Sequence, residues 1–326
     1  MKIDNWKYEG VWFMKNKLQI YLLMPDKDVL SQFIVIKTPN DKIVVFDGGY
    51  MKYQACLAPA IRAILGKNDD EYFEIDAWFI SHAHEDHYGE LIKLLEDKHQ
   101  DGKYKVNNFY FDFPDFEKTN LKDYIAHEVT MFKNVLNRYA KVNGIQVEGS
   151  YYDYLNGRVV NEESVEKGLT ITVDSVNFDV LQTRSDMDEQ VNSNSMVVRV
   201  RYESQDGLKK FLILNDVSRL SGNRLLEKYG DELKSDVVQL SHHGQAGATK
   251  EVYDVIGAKI RLWPTPYWVW SNPIAYEIGK VRDWFGISDK GDSENDLIAC
   301  LYEEYPEDRT CASDWKKCID KMMIEI

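Results

Sequence analysis

Ser81-His82-Ala83-His84-Glu85-Asp86-His87 is the stretch on which the reading of this chain turns. Three of the seven histidines in the sequence, together with Asp86, fall within residues 82–87. The apolar run at residues 75–80, Ile-Asp-Ala-Trp-Phe-Ile, leads into it and reads as a buried strand. Behind it, Leu91, Ile92, Leu94 and Leu95 repeat at helical spacing. The histidines therefore stand on a strand-to-helix turn, where a rigid scaffold can aim several side chains at one point.

Upstream, residues 18–24, 32–37 and 42–46 read as strands, the last two joined by turn chemistry at Pro39-Asn40-Asp41. Asp47-Gly48-Gly49 ends the third, and glycine there permits positive φ or a close backbone approach. A helix is expected over residues 52–66. Downstream come a strand at 106–112, a helix at 120–139 and a polar hairpin or loop at 149–167 that holds Tyr151, Tyr152 and Tyr154. A second β-rich block follows. Strands are expected at 169–173, 176–181, 195–202, 210–214 and 236–240, then at 259–263 and 297–302, with helices near 222–229 and 273–285. The order of β-block, helices, β-block, helices suits two facing sheets with helices outside.

The chain has 326 residues, 44% hydrophobic and 13% aromatic, which is ample for a sizeable core. Its net charge of −14, from 40 basic against 54 acidic residues, disfavours a broad grip on nucleic acid. Cys56, Cys300, Cys311 and Cys318 form no Cys-x-x-Cys pair, so a zinc ribbon is not expected, while a C-terminal disulfide stays open. No apolar segment precedes the first strand in the manner of a signal peptide, and no run reaches membrane-spanning length. The expectation is a cytoplasmic protein without a membrane partner; its oligomeric state is not legible.

The motif carries its own chemistry. His82 and His84 lie two apart and can face one way on an extended turn. Asp86 and His87, at the helix start, face a second nearby point, which suits a pair of cations better than one. Two strand ends offer the missing ligands. Asp216 follows an apolar strand, where the bland alternative is a turn residue opening the next helix. Another strand delivers Ser241-His242-His243-Gly244. Strand alternation puts His242 and His243 on opposite faces, and both faces can be buried, so it does not choose between them. Asp47 either orients a ligand or simply forms its turn. His99 and His127 read as surface residues.

These residues resemble the metallo-β-lactamase-fold superfamily. The match runs through Phe46-Asp47-Gly48-Gly49, His82-Ala83-His84-Glu85-Asp86-His87, Asp216 and His242, over nearly the whole chain. Within it, Asn192-Ser193-Asn194-Ser195, Asp216 and His242-His243-Gly244 are similar to the hydrolase domain of DNA-uptake competence proteins. The resemblance implies an α+β fold, a four-layer αββα sandwich. It implies one domain over residues 1–326, with β-rich halves at about 11–115 and 168–302 and a C-terminal extension at 303–326. It also implies a dinuclear site in which His82 and His84 hold the first metal and Asp86 and His87 the second. Asp216 would bridge them and His242 would complete the second site. His243 then either supports a ligand from behind or is a proton donor to the leaving group.

One departure stands out. Many members supply a histidine just before the strand that begins at Ser195, and here none lies between His127 and His242. Asn192, Asn194 or water takes that place, Asn194 being the ligand expected. Zinc is the default metal, and the oxygen-rich first site brings manganese or iron into range.

The function expected is a metal-dependent hydrolase. Two cations about 4 Å apart lower the pKa of a shared water to roughly 7, and the hydroxide attacks the substrate in line. Asp86 and His243 are the expected catalytic residues. A phosphodiester or other small-molecule substrate is favoured over a β-lactam. The alternatives are a carboxylic ester or lactone hydrolase, and a non-hydrolytic metal-binding or redox protein of the same fold. Trp268 and Trp270, in the run Trp263-Pro-Thr-Pro-Tyr-Trp-Val-Trp270, are candidates to contact substrate, against a reading as sheet-end core.

Overall fold

A computed structural model describes residues 17–50, 56–96, 103–113, 130–132, 134–136, 138, 146–149, 168–184, 190–291 and 294–326. Among them are two seven-stranded sheets. The first runs β16 (Met323–Glu325), β1 (Gln19–Leu23), β2 (Phe33–Lys37), β3 (Ile43–Phe46), β5 (Ala77–Ile80), β7 (Asn108–Phe111), β8 (Gln146–Gly149). The second runs β15 (Asp296–Ile298), β14 (Ile260–Trp263), β13 (Val237–Gln239), β12 (Gly207–Ile213), β11 (Val197–Ser204), β10 (Val176–Gln182), β9 (Thr170–Val173). β4 (Phe73–Ile75) and β6 (Tyr104–Val106) pair in parallel apart from both.

Alternation along these strands builds three apolar layers, because successive side chains leave opposite faces. Ile34, Val44, Phe46, Ala77 and Phe79 of the first sheet meet Phe178, Val198, Val200, Phe211 and Ile213 of the second. Phe46 stacks on Phe79 with ring centroids 4.7 Å apart, and Phe79 on Tyr110 at 4.9 Å. Val35, Val45, Trp78 and Ile80 face outward onto α1 (Leu57–Ile64) and α2 (Glu85–Glu96). On the far side, Leu212, Val238 and Leu240 pack with residues of α3 (Arg219–Tyr229), α4 (Lys250–Ile256) and α5 (Ile278–Phe285). The expected αββα order is therefore present. The central strands of each sheet are buried on both faces, which is why they read as continuous apolar runs.

Local sequence explains the element ends. α3 opens on a capping box between Ser218 and Ser221, so Ser218 rather than Asp216 caps it. α1 has no side-chain cap of its own. The buried Glu90 of α2 supplies it, its Oε1 accepting from Cys56 N at 2.7 Å and Leu57 N at 3.2 Å.

The structure departs from the sequence reading at three places. The run 75–80 is divided at Asp76, whose Oδ2 accepts from Ile43 N at 3.1 Å and whose N donates to Ile43 O. The C-terminal segment is part of the fold: α6 (Ala312–Cys318) packs on α1, and β16 pairs antiparallel with β1. The cysteines are all free thiols, so no C-terminal disulfide forms. His99, His127 and Tyr151, Tyr152 and Tyr154 lie outside the described residues. No helix among those described is long and apolar enough to cross a membrane.

Gly49 has φ +62°, and a Cβ placed on it would lie 2.6 Å from the Phe33 ring and 2.8 Å from Ser31 Cβ. Gly49→Ala is expected to cost about 1–3 kcal/mol through strain and overpacking. A urea unfolding midpoint equal to that of the unaltered protein would contradict this account of the turn.

Candidate metal centre

β3 and β5 run parallel, as do β12 and β13, and their C-terminal ends carry the polar residues. Asp47 follows β3, Ser81 to His87 follow β5, Asn215-Asp216 follow β12, and residues 241–244 follow β13. Asp47, Asn215, His242 and His243 have φ of 60°, 51°, 52° and 55°, the left-handed region that non-glycine residues seldom adopt. Strain of this kind persists only where surrounding contacts impose it, and it gathers at functional sites.

Asp47 is fully buried and organises the motif. Its Oδ1 accepts from Ser81 N at 2.7 Å, and its Oδ2 from Ser81 Oγ at 2.9 Å and Gln32 Nε2 at 3.1 Å. His87 Nδ1 donates to the same Oδ2 at 2.7 Å. Ser81 has given its only proton to Asp47, so its Oγ accepts from His82 Nδ1 at 2.8 Å. His243 Nδ1 donates to Pro264 O at 3.0 Å. Three histidines thus spend Nδ1–H on protein acceptors, which leaves each Nε2 as a lone-pair donor.

Those Nε2 atoms converge. His87 Nε2 lies 3.6 Å from Asp86 Oδ2 and 3.4 Å from Asp216 Oδ2. His243 Nε2 lies 3.0 Å from Asp86 Oδ2 and 3.5 Å from Asp216 Oδ2. His82 Nε2 is 3.1 Å from His84 Nδ1. His82, His87 and Asp216 form one group whose ligand atoms lie within 4.8 Å of one another, and Asp86, His87 and His243 form another. His87 Nε2 and Asp216 Oδ1 are buried without a hydrogen-bond partner. Orphaned buried nitrogen and carboxylate atoms, with second partners already orienting the rings, fit divalent cations.

Electrostatics agree. Burial alone would lower the His87 value, yet Asp216, Asp47 and Asp86 hold it well above the ordinary histidine range. His243 is raised likewise: burial opposes, but Asp216 and Asp86 win. Asp216 sits well below the usual carboxylate range because His87 and His243 outweigh its burial. Burial, then His87 and His84, push His82 well down.

The sequence-predicted residues divide as follows. His82, His84, Asp86, His87 and Asp216 come together. Of the histidine pair, His243 enters the cluster and is buried, while His242 is partly exposed beside it. β13 ends at Gln239, and the left-handed turn at 242–244 replaces strand alternation there. Asn194 is buried next to the motif, and its Nδ2 donates to Gln190 O at 2.8 Å. In the same turn, Asn192 Oδ1 and Ser195 Oγ are buried without hydrogen-bond partners. Met196 N, one residue on, donates to Ser81 O at 3.0 Å, and Ser193 Oγ to Ser218 Oγ at 2.7 Å. The segment is therefore fastened to both halves of the site. Trp270 lies inside the protein, its Nε1 donating to Asp289 O at 2.8 Å, so it contacts no substrate; Trp268 is half-buried.

Sequence reasoning missed an amide clasp. Gln32 Nε2 also donates to Asn215 Oδ1 at 2.5 Å, Gln239 Nε2 to Gln32 Oε1 at 3.0 Å, and Asn215 N to Gln239 Oε1 at 2.6 Å. Gln32 begins one apolar strand and Gln239 interrupts another, and amides in such runs were the available signal.

Residues 27–169 match the family model of the metallo-beta-lactamase superfamily. No curated protein sequence matches the chain. Among solved structures, the chain is similar to the diiron β-hydroxylase CmlA from Streptomyces venezuelae, with 10% identity, a TM-score of 0.41, and coverage of 77% of this chain and 46% of that one. A long-form RNase Z from yeast gives 11%, 0.39, 78% and 38%. The metallo-beta-lactamase SMB-1 gives 12%, 0.36, 95% and 94%. The chain spans about half the length of the first structures it matches.

Two outcomes test the centre. Asp47→Asn leaves the cluster residues in place but removes the carboxylate that orients His87, and should weaken metal affinity about 10–100-fold. Because His87 and His243 hold protons above the ordinary histidine range, metal must displace them. Affinity should therefore rise with pH through and beyond about 6.5, with proton release seen by titration calorimetry in buffers of different ionisation enthalpy. A pH-independent affinity would contradict the assignment.

Proposed function

We propose that the chain is a metallo-β-lactamase-fold protein, a reading supported by the family-model match over residues 27–169 and by the two facing sheets, and that it is a dinuclear metal-dependent hydrolase acting on a phosphodiester. The observation that carries this reading is the clustering of His82, His87 and His243 with the carboxylates of Asp86 and Asp216, the Nδ1 of each of these three histidines being committed to a protein acceptor. A pair of divalent cations supplies Lewis acidity, a water acidified to about neutral pH, and a clamp for in-line displacement.

The protein's own residues do the rest. His82, with His84 beside it, His87 and Asp216 would hold one ion, and Asp86, His87 and His243 a second. Ser81, Asp47 and the Pro264 carbonyl fix the ring orientations. His242, half out of the cluster, takes the position from which a proton can be moved to or from a leaving group. This exchanges the roles that the sequence suggested for the two adjacent histidines.

A phosphodiester is favoured over a β-lactam by the first centre. The turn at 192–195, tied to Ser81 through Met196 N, holds the buried, unpartnered oxygens Asn192 Oδ1 and Ser195 Oγ, and the sequence has no third imidazole there. Zinc is the default, and these oxygens favour manganese or iron more than an all-histidine set would. The likeness of Asn192 to Ser195 and His242-His243-Gly244 to competence-protein hydrolase domains points the same way. The net charge of −14 argues for a small substrate rather than nucleic acid.

Metal-loaded protein should turn over bis-p-nitrophenyl phosphate, lose that activity to a chelator, and regain it on adding zinc or manganese. His84→Ala and Asp86→Ala should reduce it to background. Turnover of lactones with an inert phosphodiester would instead establish the ester-hydrolase alternative.

A further inference from the structure

A closed ring of hydrogen bonds runs beside the candidate ligands. Ser81 N donates to Asp47 Oδ1 at 2.7 Å, and Gln32 Nε2 donates to Asp47 Oδ2 at 3.1 Å. The second proton of the same amide goes to Asn215 Oδ1 at 2.5 Å. Asn215 Nδ2 donates to Met196 O at 2.5 Å, and Met196 N donates to Ser81 O at 3.0 Å, which closes the ring. Gln239 braces it, giving a proton to Gln32 Oε1 at 3.0 Å and taking one from Asn215 N at 2.6 Å. Ser81, Asp47, Gln32, Asn215, Met196 and Gln239 are all buried.

The candidate ligands hang from this ring. Ser81 precedes His82 and accepts from its Nδ1, and Asp47 accepts from His87 Nδ1. Gln32 N donates to Asp86 O at 3.4 Å. Asn215 precedes Asp216, and its carbonyl accepts from His242 N at 3.0 Å, which fastens the turn that carries His243.

The ring also crosses between the sheets. Gln32, Asp47 and Ser81 stand at the ends of β2, β3 and β5 in the first sheet, and Met196 and Asn215 beside the ends of β11 and β12 in the second. Both groups of candidate ligands need that crossing. His82 and His87 of the first sheet meet Asp216 of the second, and Asp86 and His87 meet His243. Metal ligands must be held to within about 0.5 Å, so a slip of one sheet edge past the other would spoil both groups at once.

Packing does not ask for these amides. Gln32 and Gln239 are fully buried at the ends of apolar strands, where an aliphatic side chain would avoid the desolvation of a carboxamide. A polar network whose members satisfy one another fixes a unique geometry, because any displaced member leaves a buried group unpaired.

We propose that Gln32 and Asn215 are positioning residues of the metal centre: they hold the strand ends of the two sheets at one offset, so that both groups of ligands are spaced for ions before any ion arrives. This role requires the metal centre of the reading above and is independent of hydrolysis and of the phosphodiester.

Cobalt(II), added to the metal-free full chain, is the probe. Its visible absorption reports coordination geometry, and calorimetry gives affinity and stoichiometry without turnover. Gln32→Met keeps an unbranched side chain and removes the bonds to Asp47, Asn215 and Gln239. Asn215→Gly removes the side-chain bonds to Gln32 and Met196 but suits the left-handed backbone, φ 51°, which glycine adopts freely. Each should weaken cobalt binding about 10–100-fold and alter the visible band. The two act on different members of the ring, so either one that folds decides. Val200→Ala, in the core between the sheets and outside the ring, controls for lost stability. It should lower the urea unfolding midpoint and leave cobalt affinity and spectrum unchanged. Ring variants that bind cobalt as the unaltered chain does, or a Val200→Ala variant that weakens binding as much as they do, would overturn the positioning role. If cobalt binds and the ring variants weaken it, but no phosphodiester is turned over, the hydrolase reading alone fails. An unaltered chain that binds no cobalt would overturn both.

Discussion

A single buried carboxylate holds the centre of this protein in place. Asp47 takes a backbone amide, a hydroxyl, a side-chain amide and an imidazole onto its two oxygens. An unpaired charge so deep would cost several kcal/mol, and only a full set of donors offsets that cost. Its partners have little freedom as a result. Ser81 must give its proton to Asp47, His82 must then donate through Nδ1, and His87 must do the same. The orientations of two imidazole rings follow from one residue that belongs to neither group of candidate ligands.

The constraint extends across the sandwich through amides. Gln32 joins Asp47 to Asn215, and Gln239 joins both to the next strand. These contacts connect the strand ends of one sheet to those of the other beneath the ligands. Close packing of Phe46, Phe79 and Phe178 between the sheets keeps the strand ends from shifting. The left-handed backbone at Asp47, Asn215, His242 and His243 is the local cost of aiming side chains from four strand ends at one point. Rigid layers on both sides make that cost sustainable.

The segments that carry Leu220, Tyr267 and Ile274 expose large apolar side chains, with Lys27 over the Tyr267 ring. The same segments are fastened to residues of the cluster: Pro264 orients His243, and Tyr267, three residues on, faces the solvent.

Much of this was legible in the sequence, because hydrophobic period and residue type are local properties. Alternating strands in two blocks, the strand-to-helix turn at His82–His87 and the strand-end Asp216 all follow from them, and so does the four-layer arrangement once both faces of each strand are apolar. Other features depend on partners distant in the chain, which no local period encodes. Tertiary structure alone divided the strand at Asp76, through Ile43, and recruited residues 323–325 as an edge strand beside β1. It buried Trp270 while leaving Trp268 half-exposed. It also placed His243 rather than His242 in the cluster, because alternation ends with β13 and a left-handed turn, held by Pro264 and Thr265, decides which ring faces Asp86. The sequence by itself determined which side chains could bind metal; which of them meet was decided by contacts between segments that only folding brings together.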